Sequence, residues 1–527
     1  MLISIKTFPQ ITGGTVSGNL QIDVQYYKED SAINAPEVPE KILTNGFANI
    51  IYTSGKFSAG LRYESYLNPL LGFDPRYKGS GIMYRYASYN YEGLDVTVGS
   101  FYEQFGSGLI FRSYEERGLG YDNALDGIKL KYSPITGLYL KGFIARQRSF
   151  FDYGPGIIRG LDGEIALNET FSKLSESKTS YIIGASVVSK YQADQDPIYI
   201  LPENVAAFSG RVNVTKGGVN LLAEYAHKIN DPSVTNDLIY RDGEALLLSA
   251  SYSKQGFGII VSGKRIDNMD FRSDRNAIGN NLLLNYLPAL TKQHTYSLAA
   301  VYPYATQANG EIGFQAELYN RYKPGTTLGG KYGTNLSINY SRANGLDTLN
   351  FNDPRGYSSE FLSIGNEIYF QDINVEINKK FSEKVKLITT YVNLIYNKSV
   401  IEKPGESTVY AHVGVLDLTY KFTRQKSIRT ELQHLFTEQD KGSWAMLLAE
   451  YSVAPNWFVT AFDEYNYGND DEKKRLHYFT GALAYVKKAN RFSLSYGRQR
   501  EGIFCVGGIC RTVPASNGVL FSVTSSF

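Results

Sequence analysis

The chain is poor in the residues that most often hold metals or carry redox chemistry. Its 527 residues include two cysteines and five histidines. The histidines, His227, His294, His412, His434 and His477, show no ligand spacing. A four-ligand zinc site is therefore not expected, and neither is a cofactor. Charge is scarce too. Asp, Glu, Lys and Arg make up 20% of the chain, against roughly 25% in soluble domains. They cancel to a net +2, whereas a nucleic-acid binder needs a clearly basic footprint. Long apolar runs are missing: no window of 18 or more such residues exists, so no transmembrane helix is expected. The opening "MLISIKTFPQ" is too short for a secretory signal, although a signal is expected in the full gene. Also absent are a G-x-S-x-G elbow, an H-E-x-x-H pair and a phosphate-binding G-x-x-x-x-G-K-[ST] loop. No fixed repeat of solenoid or propeller type is found either.

Aromatics are abundant, with 42 Tyr and 28 Phe, alongside 50 Gly. Tyrosine pairs an apolar ring with a polar tip and suits a membrane–water interface. The mean hydropathy of −0.26 fits a membrane barrel as well as a soluble protein, since only alternate residues of a spanning strand must be apolar. Alternation is pervasive. In "GNLQIDVQYY", Leu20, Ile22, Val24 and Tyr26 oppose Asn19, Gln21, Asp23 and Gln25. "TNLSINYS", "INVEINKK" and "RFSLSYG" repeat the pattern, which marks strands with one apolar and one wet face.

The connections carry the topology. Short turns such as "SGK" (54–56), "YEG" (91–93) and "KAN" (488–490) alternate with longer polar segments such as 28–42, 104–122 and 229–242. An up-and-down membrane barrel with tight periplasmic turns and long extracellular loops has this asymmetry. The expected fold is all-β: a single large antiparallel transmembrane β-barrel of about 26 strands, with 24 as the fallback. The larger count requires strands in 157–171 and in part of "NNLLLNYLPAL" (280–290). The barrel is assigned to 18–527, with 1–17 a periplasmic or leader remnant. That leaves no room for an N-terminal plug domain, which disfavours an actively energised transporter.

A barrel of this size is on the order of 50 Å across, so loops must narrow it. The foremost candidate is "FYEQFGSGLIFRSYEERGLGYDNALDG" (101–127), where Arg112, Glu115, Glu116, Arg117 and Asp122 can form an ion-pair network. The second is 265–281, with Arg265, Arg272 and Arg275 against Asp267, Asp270 and Asp274; the third is 350–361. These charges either knit outer loops together or constrict the pore. In "CVGGIC", Cys505 and Cys510 suit a hairpin tip closed by a disulfide, the alternative being two unlinked thiols. His434, near Glu438 and Asp440 in "HLFTEQD", reads as an interfacial histidine, so no catalytic residue is assigned and a non-enzyme is expected.

The closing "GVLFSVTSSF", with Val519, Phe521, Val523 and Phe527 on one face, resembles the terminal signal strand of Gram-negative outer-membrane barrels. It departs from that pattern at Thr524 to Ser526, which are small and polar. The segments 101–127 and "SIGNEIYFQDINVEINKKFSEK" resemble those of large, uncharacterised outer-membrane barrels of Bacteroidota. The resemblance implies a bacterial outer-membrane location, with membrane lipid, the barrel-assembly machinery and other envelope proteins as the partners to expect, and no nucleic acid. The function expected is a hydrophilic, porin-like channel narrowed by inward-folded loops. The alternative is a structural or assembly subunit of a larger envelope complex.

Overall fold

A computed structural model describes residues 13–506 and 509–527. Twenty-four antiparallel strands form one closed sheet, and strands consecutive in the chain lie side by side. The first, Thr15–Tyr27, starts slightly before residue 18 and pairs with the last, Ser516–Ser526. Gly18 and Phe527 exchange two backbone hydrogen bonds at this seam, of 2.9 and 3.0 Å. No edge of the ladder is left free, which solves the open-edge problem of a sheet this large. Among the described residues, no helix is long and apolar enough to cross a membrane.

The barrel therefore has the fallback number of strands. Residues 152–166 form a strand, in agreement with one of the two conditions for 26. The other fails, because "NNLLLNYLPAL" forms no strand and belongs to a long segment, 268–309, between the strands Phe257–Asp267 and Gly310–Tyr322. Both chain directions of the seam meet at the short-turn end. The turn asymmetry has exceptions: 167–178 and 323–333 are long at the short-turn end, and 150–151 is short at the other.

Alternation sorts the wall into two faces. Ile22, Val98, Leu161 and Leu447 point outward and are exposed. Outward aromatics gather near both ends, with Tyr26, Tyr410, Phe436 and Tyr465 toward the long connections and Phe57, Tyr252, Trp457 and Tyr485 toward the short turns. This apolar belt between two aromatic girdles is the exterior that a bilayer requires.

The inward face is only partly wet. Near the short-turn end it carries polar residues such as Asn19, Asn213, Asn220, Gln315, Ser493 and Ser522. Toward the long connections, two patches of inner wall are apolar and dry. One comprises Ala145, Ile158, Val188, Val205, Ala226 and Ile266; the other includes Val392, Val409, Ala411, Val413, Val415 and Leu435. Both are covered by chain folded into the lumen, where inward-folded segments were expected but an apolar lining beneath them was not.

Candidate functional site

The filling consists of 102–124 and 268–309. Phe105, Leu109, Ile110 and Phe111 of the first are fully buried against the first apolar patch, together with Met269, Phe271 and Leu284 of the second. Leu298, Ala299, Tyr302 and Tyr304 of the second cover the other patch. Gly106 permits a close approach to the wall: it has φ +51, and a Cβ there would lie 2.5 Å from a Glu224 carboxylate oxygen. That carboxylate accepts the Ser107 N–H at 2.7 Å. The segments are also sewn together, with Arg112 N–H donating to the Leu284 carbonyl and Tyr286 N–H to that of Gly108. Together they form a plug.

Charged groups hold the plug to the adjoining part of the wall. Arg62 and Glu64 share the inward face of Phe57–Leu67, two residues apart, and Arg148 ends the strand Leu138–Ser149. A short ribbon, Glu115–Glu116 against Tyr121–Asp122, carries its carboxylates between them. Arg62 contacts Glu64 at 2.7 Å, Glu115 at 2.9 Å, and Asp122 as well. Arg148 bridges Glu64 and Asp122, both at 2.7 Å. Burial raises the Asp122 pKa, but Arg148 and Arg62 outweigh it and hold the carboxyl below the usual range. Glu103 is likewise held low: burial opposes ionisation, but Lys131, Lys141 and Lys129 prevail.

The residues singled out from the sequence are dispersed. Glu115, Arg117 and Asp122 share this network, with Arg117 at 2.9 Å from Glu115. Arg112 stands apart, its guanidinium 4.2 Å from the ring centres of Tyr114 and Tyr286. Arg272 pairs with Asp270 at 2.9 Å. Asp274 accepts from Gln192 at 2.8 Å, and Arg275 donates to the Gln192 and Pro202 carbonyls, tying the plug to the loop 192–203. Arg265 is a correction. Its neighbours Lys264 and Ile266 point into the lumen, so alternation turns Arg265 outward, where it contacts Asp267, Glu244 and Ser359. The segment 350–361 lies on this same outer side, with Tyr357 and Ser359 on Asp267, and is not in the lumen. His434 also faces outward, 2.6 Å from the Tyr467 hydroxyl.

Glu116 lines a cavity of about 860 Å³ between the plug and the wall strands near the seam. Tyr286, Lys292 and His294 bound it on the plug side, and Glu464, Arg498 and Arg500 on the wall side. A second cavity of about 370 Å³ adjoins it. Their boundary carries the hairpin Gly502–Val506/Ile509–Val513, in which Cys505 and Cys510 are disulfide-bonded. Asn280 donates to the Cys510 carbonyl and Gln293 to that of Cys505, so both hairpin strands are pinned to the plug. Arg498, Arg500 and Arg511 were not among the sequence candidates. Their signal was a cluster of arginines flanking the only two cysteines. Among the described residues, no group of three or more His, Cys, Asp or Glu is placed to hold a metal.

The whole chain, residues 1–527, matches the Family of unknown function (DUF6029), and it belongs to that family. No curated protein matches it. Among solved structures, it is similar to the P pilus usher (PapC) translocation pore, with 10% identity, TM-score 0.46, and coverage of 97% of this chain and 98% of that one. A mutant ferric enterobactin receptor (PfeA) from Pseudomonas aeruginosa gives 12% identity, TM-score 0.42, and coverage of 98% and 81%. OpdQ from the same organism gives 9% identity, TM-score 0.32, and coverage of 98% of each chain. At these scores the likenesses carry no functional weight.

Proposed function

We propose that this member of a family of unknown function is a non-enzymatic outer-membrane barrel through which small hydrophilic solutes pass along one side of a fixed plug. The observation that carries the reading is the pair of adjoining cavities between plug and wall. The polar inner face toward the short turns continues the route. The apolar belt and aromatic girdles support an outer-membrane location. The outward Val519, Phe521 and Val523 of the last strand, with Phe527, are the features the barrel-assembly machinery would read.

Single-channel recording in planar bilayers tests the proposal. Purified, folded barrel should give small, uniform conductance steps, because the plug leaves only a side passage. An absence of ion current from folded protein sinks the channel reading. A structural or assembly role is the second reading, favoured by the projecting hairpin of strands Thr334–Asn350 and Tyr357–Lys380, where Leu349 is 72% and Leu362 82% exposed. Silence in the bilayer together with a stoichiometric partner after mild detergent extraction would favour it.

A further inference from the structure

Most cations inside the barrel have a carboxylate in contact. Arg500 reaches Glu464 at 3.0 Å, and Arg62 and Arg148 share Glu64 and Asp122, with Arg62 reaching Glu115 as well. Arg511 differs. It lies on the disulfide-closed hairpin, with its guanidinium 4.2 Å from the Phe73 ring centre. Its Nε and Nη1 are buried with no hydrogen-bond partner, and no carboxylate pairs with it among the described residues. A half-buried cation without a counter-charge is unfavourable unless something supplies one.

Its position says what that could be. Arg511 and Leu119 are the two residues that line both cavities, so they stand between them. On the channel reading, a solute moving along the plug passes this charge. Beyond the junction the larger cavity is rich in rings, with Tyr286, Tyr302, Tyr304, Phe462 and Phe504 along it. Charge at the narrow point beside an aromatic chamber suits a solute with an anionic end and an apolar body.

We propose that the junction of the two cavities is a binding site for small organic carboxylates, with Arg511 as its selectivity residue. The proposal rests on the channel reading for its role in passage, but binding itself can be read without any current. The carboxylate supplies the missing counter-charge, and the rings take its apolar part. Loop 68–78 braces the residue from behind: Gly72 has φ +84, and a Cβ there would lie 3.1 Å from the Thr512 carbonyl oxygen.

Two measurements on the full barrel test it, with benzoate as the probe and inorganic phosphate as the comparison. In detergent at constant ionic strength, benzoate replacing chloride should raise the unfolding temperature of the native barrel, and Arg511→Met should abolish the rise. In bilayers under a salt gradient, Arg511→Met should lower the anion-to-cation permeability ratio by at least about threefold, and Arg511→Lys should retain most of it. If Arg511→Met fails to fold, Leu119→Glu places an opposing charge at the same junction and should give the same fall. A benzoate rise of equal size in wild type and Arg511→Met would overturn the site, as would an unchanged permeability ratio. A rise with phosphate but none with benzoate would overturn the organic-carboxylate assignment. If no variant conducts, the channel reading fails, and the benzoate titration alone decides the site.

Discussion

Arg148 joins parts of the chain that are far apart in sequence: Glu64 from an early strand and Asp122 from the plug. Removing it leaves two buried carboxylates with one remaining guanidinium between them, Arg62. Breaking a buried pair in this way costs roughly 3–5 kcal/mol. Arg148→Met should therefore lower the temperature at which the folded barrel converts to the unfolded band on semi-native gels. The effect has a pH signature. Because the Asp122 carboxyl sits below its unfolded value, its contribution is full above about pH 4 and is lost as the pH falls through the depressed value. The wild type should lose stability on that acid limb, and Arg148→Met should lose less there. Much of this network could be read from the sequence, since Glu115, Arg117 and Asp122 crowd one glycine-rich segment. Its wall partners could not, because contacts across the lumen leave no periodic trace. Arg265 was misread for a simpler reason. Charge suggested the lumen, while the parity of its own strand turned it outward.

The plug is where periodicity misleads most. "NNLLLNYLPAL" has the apolar content of a strand, yet it packs inside the barrel and leaves the ladder at 24. The clue lay in the wall. In "TVYAHVGVLDL", Val409, Ala411, Val413 and Val415 are apolar on the inward face, while Tyr410, Leu416 and Leu418 are apolar on the outward one. A wall strand that is apolar on both faces needs a covering on its inner side, and Leu298 to Tyr304 provide it. The first plug segment is a better target for cutting, because its ends, Phe101 and Leu125, pair directly with each other. Deleting residues 104–120 should enlarge single-channel conductance several-fold. Unchanged conductance would mean that current does not run past this segment.

As a whole, the molecule depends on closure. The turn parity required an even number of strands and a seam between the first and the last, and the pairing of Thr15–Tyr27 with Ser516–Ser526 supplies it. The same register turns Val523 outward beside Ile22 and Ser522 inward beside Asp23. Val523→Arg places a cation in the apolar belt at a cost of about 2–4 kcal/mol at mid-bilayer depth. It should block insertion, seen as loss of the heat-modifiable form from membrane fractions, whereas Ser522→Arg should accumulate normally. Equal outcomes would mean that the two faces are exchanged. The dry contact between plug and wall has a mechanical consequence. Pulling Phe105, Leu109, Ile110 and Phe111 away from the wall would wet four fully buried side chains, at roughly 1.5–3 kcal/mol each. The plug is thus a stator rather than a piston, and the disulfide-closed hairpin pinned to it is held still with it.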